Sequence, residues 1–165
     1  MMDLTRGGAA VVTLPTDTQI LITREFSAPK HLIYRAWTTP ELIQRWWAGR
    51  RGEVTSIQMD FRVGGQWRYV MVAHGSFEVA FHGEYREIVP NERIVTTEFY
   101  EMPGEPEGEG VVNTVTFSET AGRTTLAILT ETGSKELRDT IVKSGMEGGV
   151  QEQMEIIEEI ASALR

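Results

Sequence analysis

Apolar and polar residues alternate along Trp67–Ala73, pause at His74-Gly75-Ser76, and alternate again along Phe77–Tyr85. A period of two on both sides of a short polar turn predicts a β-hairpin. Folded at that turn, Trp67 falls opposite Gly83, Tyr69 opposite Phe81, and Met71 opposite Val79. The other face then carries Gln66, Arg68, Glu78, His82, Glu84 and Arg86. One face is aromatic and apolar, the other wet, as in an antiparallel sheet with one side on a core. A glycine opposite a tryptophan leaves room for the indole to lie across the strand. The aromatic face is one wall of a core or of a cavity.

The same periodicities organise the rest of the chain. Ile20–Phe26 reads as the first strand. Two short helices follow, with Pro29 and Pro40 at helix starts and Thr39 as a cap for the second. Leu32, Ile33, Ala36 and Trp37 make the apolar stripe of one; Leu42, Ile43, Trp46 and Trp47 make that of the other. Thr55, Ile57, Met59 and Phe61 then alternate, and Arg62–Gly65 turns into the Trp67 strand. That turn pairs Phe61 with Trp67, Met59 with Tyr69, and Ile57 with Met71.

Pro90-Asn91-Glu92 makes the next turn. Pairing Ile88 with Ile94 puts Val95, Thr97 and Phe99 on the apolar side and leaves Glu98 near Glu84 on the wet side. Residues 102–110 form an acidic, aperiodic loop. Asn113, Val115 and Phe117 face inward on the sixth strand. Leu126 and Ile128 are the inward pair of the seventh, with Ala127 and Leu129 as the alternative. Ser134–Lys143 reads as a short helix. From about Val150 to Leu164 a long helix carries Val150, Met154, Ile157, Ala161 and Leu164 on one stripe, with Gln151, Glu152, Glu155, Glu158 and Glu159 toward water.

The plan is α+β: a curved antiparallel sheet of about seven strands around a long C-terminal helix, with two short helices after the first strand. Residues 1–16 read as a loosely attached arm, with an extra strand at Ala10–Leu14, and residues 17–165 as one domain. Seven strands offer more inward surface than one helical stripe covers. Either the short helices close that gap or a cavity remains.

Composition narrows the chemistry. The chain has 165 residues, a net charge of -8 and no cysteine. Thiol catalysis, disulfides and cysteine-bound metals are excluded. The acidic balance and lack of a basic stripe speak against sequence-independent nucleic-acid binding. No stretch approaches the roughly 18 apolar residues of a membrane span, and the N-terminus is a poor secretory signal, so a cytoplasmic monomer or homodimer is expected.

Arg24-Glu25-Phe26-Ser27-Ala28-Pro29, Ala36-Trp37-Thr38-Thr39-Pro40-Glu41 and Arg45-Trp46-Trp47 stand in order along the first third of the chain. Gly83-Glu84-Tyr85-Arg86-Glu87-Ile88-Val89-Pro90, Arg93-Ile94-Val95 and Ser144-Gly145-Met146 follow. This ordered set resembles the START and birch-pollen-allergen-like (SRPBCC) superfamily, in the branch of homologues of the activator of the ninety-kilodalton heat-shock chaperone ATPase. The resemblance implies a helix-grip fold with a cavity between sheet and C-terminal helix. It also implies a range of functions: ligand carriers, cyclases or hydrolases, stress-related proteins and chaperone co-factors.

No nucleophile elbow, phosphate loop or dinucleotide fingerprint is present. His31, His74 and His82 read as structural, so no catalytic residue, metal or cofactor is expected. Glu84 and Glu98, with Arg68, Arg86 and His82, read as a solvated charge lattice. Arg24 alternates with Ile20, Ile22 and Phe26 on the inner face of its strand; it either snorkels to water or holds an acidic ligand group at a cavity rim. Trp46 and Trp47 lie about 100° apart on their helix, so one packs under the sheet while the other faces the cavity mouth. Trp67, Tyr69, Met71 and Phe81 are either core packing or pocket lining, and the resemblance favours lining, with Phe99 beside them and Met59, Met154 and Ile157 as adaptable or apolar walls. Tyr69, Tyr85 and Asn113 orient a guest. The expected guest is a small apolar or amphipathic molecule, bound without chemistry. The alternative is a cyclase- or hydrolase-like enzyme using the same cavity, and the third reading is a chaperone co-factor acting through its surface.

Overall fold

The computed structural model describes residues 9–74, 77–102, 104–105 and 107–165. The chain runs β1 (Val11–Thr13), β2 (Gln19–Phe26), α1 (Lys30–Thr38), α2 (Pro40–Trp46), β3 (Gly52–Met59) and β4 (Gln66–Ala73). It continues through β5 (Glu78–Val89), β6 (Arg93–Glu101), β7 (Val111–Thr120), β8 (Arg123–Glu131), α3 (Lys135–Lys143) and α4 (Met146–Leu164). All eight strands form one antiparallel sheet in the order β1-β2-β8-β7-β6-β5-β4-β3. This is the helix-grip plan, with the extra N-terminal strand added at one edge. The backbone of Ala10 is tied to α4, where the Gln151 amide accepts from its N–H and donates to its C=O, both at 2.8 Å. No described helix is long and apolar enough to cross a membrane.

The hairpin register is Trp67↔Gly83, Tyr69↔Phe81 and Met71↔Val79, and Ile88 pairs with Ile94. The tip of the hairpin at residues 75–76 and part of the acidic loop lie outside the described residues.

Two bulges revise the remaining pairings. In β3 the observed partners are Met59↔Trp67 and Ile57↔Tyr69, two residues away from the expected Phe61↔Trp67 register. The turn is longer than Arg62–Gly65: Asp60 N–H bonds Gln66 C=O, and Gly64 sits at φ 87°. A two-residue shift keeps each side chain on its face, so Phe61 still packs inward, edge-on to Tyr85 at 5.1 Å. An extra residue at Thr55 then brings Val54 opposite Met71.

The second bulge, between Tyr85 and Glu87, has the larger effect. Tyr85 pairs with Thr96 and His82 with Phe99, so one inserted residue inverts the rest of β6. Val95, Thr97 and Phe99, expected inside, face outward. Ile94, Thr96, Glu98 and Tyr100 face inward.

α2 has Pro40 in its first turn after Thr39, whose backbone carbonyl rather than side chain takes the free helical N–H groups. α3 is capped by Ser134 Oγ, which accepts from Leu137 N–H at 3.1 Å. α4 begins earlier than its apolar stripe, at Met146 after Gly145 (φ 86°). Gly148 lies beside the Arg51 guanidinium, where a Cβ would stand 2.6 Å from Arg51 Nη2. The core is densest under β2, β7 and β8, where Ile20, Phe26, Phe117, Leu126, Ile33, Met154, Ile157 and Ile160 are all fully buried.

Candidate ligand site

The other part of the inner face, from β3 to β6, is built differently. Trp46 and Trp47 diverge at the end of α2. Trp46 is buried against Trp37 at 4.8 Å, and its indole donates to Ala36 C=O at 2.9 Å. Trp47 turns to the sheet and meets Tyr69 at 5.5 Å and Phe81 at 5.8 Å, both edge-on. Gln153 of α4 donates to Trp47 C=O at 2.5 Å and pins this end of α2 over the strands. Tyr69 also contacts Trp67 at 4.8 Å, and Phe81 contacts Tyr100 at 5.1 Å. Met59, Met71, Tyr69, Phe81 and Trp47 remain only half-buried. Trp47, Met59, Tyr69 and Phe81 pack against the core cluster and still keep part of their surface accessible.

A polar band crosses this inner face. Thr130 Oγ1 donates to Asn113 Oδ1 at 2.6 Å, and Asn113 Nδ2 donates to Glu98 Oε1 at 2.5 Å. Burial raises the pKa of the Glu98 carboxyl, and the Asn113 hydrogen bond partly offsets it. Burial likewise pushes the Tyr69 hydroxyl well above 10, with the nearby Tyr85 and Glu98 adding to the shift. Tyr85 is pushed up to about 12, chiefly by burial. Among the described residues three buried side-chain atoms make no hydrogen bond, the Trp67 indole N–H and the Tyr85 hydroxyl on this face and Arg24 Nε on β2; the Tyr69 hydroxyl is the polar neighbour of Tyr85. Buried polar groups are nearly always satisfied, so these two are exceptions on this face. Gly83 makes the arrangement possible, because a Cβ there would lie 1.8 Å from Thr97 O and 2.8 Å from Trp67 Nε1.

Residues 27–162 match the family model described as Activator of Hsp90 ATPase homolog 1-like protein. The chain belongs to this family. Solved structures repeat the fold of this family member over almost its full length. A protein from Rhodobacter sphaeroides has a TM-score of 0.85 at 21% identity, covering 94% of this chain and 99% of its own. Ms6760 from Mycobacterium smegmatis has a TM-score of 0.83 at 21% identity, with the same coverage of 94% and 99%. CV1439 from Chromobacterium violaceum reaches 26% identity at a TM-score of 0.76, covering 88% and 98%. No curated protein matches the chain.

Within this family member, the candidate residues separate into two groups. Trp47, Met59, Trp67, Tyr69, Met71, Phe81, Tyr85 and Asn113 lie on or against the inner face from β3 to β7, with Trp67 and Tyr85 buried and the others half-buried. Trp46, Met154 and Ile157 do not reach it: they are closed into the core at 4%, 1% and 0% exposure. Arg24 is inward but occupied. Its Nη1 donates to Glu158 Oε1 at 3.0 Å and to Glu25 C=O at 2.6 Å, and its guanidinium lies 4.6 Å from the Phe26 ring centre. It ties β2 to α4 instead of holding a ligand group. Phe99 stacks on His82 at 5.4 Å on the outer face, because of the β5 bulge.

Glu98, read from the sequence as part of the outer charge lattice, and Thr130, which the sequence reading did not single out, join Asn113 on the inner face. Expected alternation placed Glu98 outward beside Glu84; instead Glu84 N–H bonds Thr97 Oγ1 at 2.9 Å. The outer face does carry a charge lattice. Arg68 makes a two-pronged pair with Glu101 at 2.9 and 2.8 Å, and His82 bridges Glu101 and Glu107, each at 2.8 Å. Arg68 and His82 together hold Glu101 at about 2. Two open hollows of about 600 and about 410 Å³ border this lattice; the first is lined by Arg68, His82 and Phe99 and reaches Trp67 and Gly83, and the second is lined by Arg68, His82, Tyr100 and Glu101. Among the described residues no group of three or more His, Asp or Glu is arranged for a metal ion.

Proposed function

We propose that this chain binds a small apolar or amphipathic molecule in the hollow between the β3–β6 part of the sheet and Trp47. The observation that carries the reading is the pair of buried, unpartnered donors, Trp67 Nε1 and Tyr85 Oη, among rings that keep accessible surface. Aromatic walls with a few convergent polar groups are the usual make-up of a ligand site. Membership of the family supports it, since the fold commonly binds ligands. A guest of about 20 heavy atoms at roughly 0.3 kcal/mol each binds with a Kd in the tens of micromolar.

The test is a titration with N-phenyl-1-naphthylamine, a neutral fluorophore that brightens in apolar surroundings. The wild-type chain should enhance its emission saturably, and Tyr69→Ala and Trp47→Ala should lose that enhancement while remaining folded. No enhancement, or equal enhancement in the variants, contradicts the reading. One observation favours a second reading, proton transfer on the bound molecule: Glu98 is an inward carboxyl of raised pKa near Tyr69. Turnover that Glu98→Gln abolishes without weakening binding would establish it.

A further inference from the structure

The charge of the hollow narrows its guest, on the reading that the hollow binds one. Glu98 faces inward with Asn113 as its hydrogen-bond partner, and among the described residues no Lys, Arg or His pairs with it. The two buried arginines are committed elsewhere: Arg24 to Glu158, and Arg138 to Asp139 and Thr16 C=O. A buried carboxylate without a cation is costly, and the complementary partner is a positive charge. The walls point the same way. Ring faces carry negative potential and attract cations, and the rings of Trp47, Tyr69 and Trp67 form one contiguous cluster.

Register links that cluster to the carboxyl. Counting from the His82↔Phe99 pair, Gly83 stands opposite Glu98, and Trp67 pairs with Gly83 from the other side. The missing side chain of Gly83 therefore leaves the Trp67 indole edge facing the Glu98 strand. The unpartnered indole N–H and Tyr85 hydroxyl are both able to donate, so they call for an acceptor on the same guest. An anion would meet Glu98 directly. A neutral guest would satisfy the donors and leave the carboxylate without a counter-charge.

We infer that the hollow selects an organic cation, an amine on an aromatic or apolar body that also carries a hydrogen-bond acceptor. Glu98 holds the ammonium, the rings flank it, and Trp67 Nε1 and Tyr85 Oη engage the acceptor.

Three probes with one body separate the charges: tyramine (cation), tyrosol (neutral) and 4-hydroxyphenylacetate (anion). Calorimetric titration of the full chain at neutral pH should show tyramine binding at least tenfold tighter than tyrosol, and the anion weakest. Glu98→Gln should bring tyramine to the level of tyrosol and leave tyrosol unchanged. Trp67→Phe, which keeps a ring and removes the N–H, should weaken tyramine and tyrosol severalfold. Equal affinity for tyramine and tyrosol, or a tyramine preference that survives Glu98→Gln, overturns the inference while N-phenyl-1-naphthylamine binding keeps the broader reading. If none of the four probes binds, both fall. Should Glu98→Gln not fold, the wild-type order of the three probes decides: the cation bound tightest upholds the inference, and any other order overturns it.

Discussion

The two parts of the inner face share one sheet and the same alternation, yet they end in different physical states. Under β2, β7 and β8 the inward residues are Ile20, Ile22, Phe26, Val115, Phe117 and Leu126, all buried, and α4 closes them with Met154, Ile157 and Ile160. From β3 to β6 Trp67, Tyr85 and Ile94 are buried as well, but Met59, Tyr69, Met71, Phe81 and Glu98 are only half-buried, and the end of α2 meets Tyr69 and Phe81 with one indole. Branched aliphatic side chains interdigitate to crystal-like density. Rings meeting edge-on at half-buried positions pack less closely. On the proposed function, stability belongs to the first part and recognition to the second.

That division sets an order of expected effects. The largest belongs to the packed part. Phe117→Ala removes a ring held edge-on by Tyr34 at 5.3 Å and Trp37 at 6.3 Å, and should cost about 3–5 kcal/mol in urea unfolding. A loss below about 1 kcal/mol would erase the contrast. Next comes the open part. Trp47→Ala should cost only about 1–2 kcal/mol of stability, since the ring is half-exposed, while fluorophore affinity falls at least tenfold. Comparable stability losses for Trp47→Ala and Phe117→Ala would mean that the two parts are equally packed.

The third effect is a gain. Glu98 has a raised pKa in the folded state, so the native chain holds this proton more tightly than the unfolded chain does. Its contribution is fully present below the ordinary carboxylate range and is lost as pH rises through the raised value. Glu98→Gln should therefore be more stable than wild type at pH 7, with the gap closing as the solution is acidified, in paired thermal melts. A variant that is less stable at neutral pH would show that the carboxylate is satisfied by the fold itself.

The smallest effect lies on the outer face. Glu101, held at about 2 by Arg68 and His82, has the opposite sign: its contribution is present above the ordinary carboxylate range and is lost as pH falls toward that value. Arg68 is 42% exposed, so Glu101→Gln should cost only about 0.5–1 kcal/mol at neutral pH and less in high salt. An effect that ignores salt would point to burial that the pair does not have.

Most of the architecture was legible because it rests on alternation. The Trp67–Gly83, Tyr69–Phe81 and Ile88–Ile94 pairs follow from polar turns and apolar periodicity alone. What could not be read was the bulge between Tyr85 and Glu87. Phe99 and Tyr100 are adjacent aromatics, so either phase of β6 places a ring inside and the pattern gives no warning. The correct phase puts Glu98 inside, which ordinary burial rules disfavour. Local rules are broken most often where function requires it, and the inward-reading Asn113 on the next strand was the one signal that β6 had a polar neighbour to offer. Arg24 was misread for a related reason. Its inward position was clear from its strand, but its partner Glu158 lies 134 residues away, beyond the reach of local pattern.

The central claim is that the β3–β6 hollow is open and holds unmet polar groups. A high-resolution crystal structure of the protein purified without added ligand tests it most directly. Ordered density, from water or a carried-over guest, should stand within hydrogen-bond distance of Trp67 Nε1 and Tyr85 Oη. Rings of Trp47, Tyr69 and Phe81 closed against one another, with both donors bonded to protein and no density between, would contradict it.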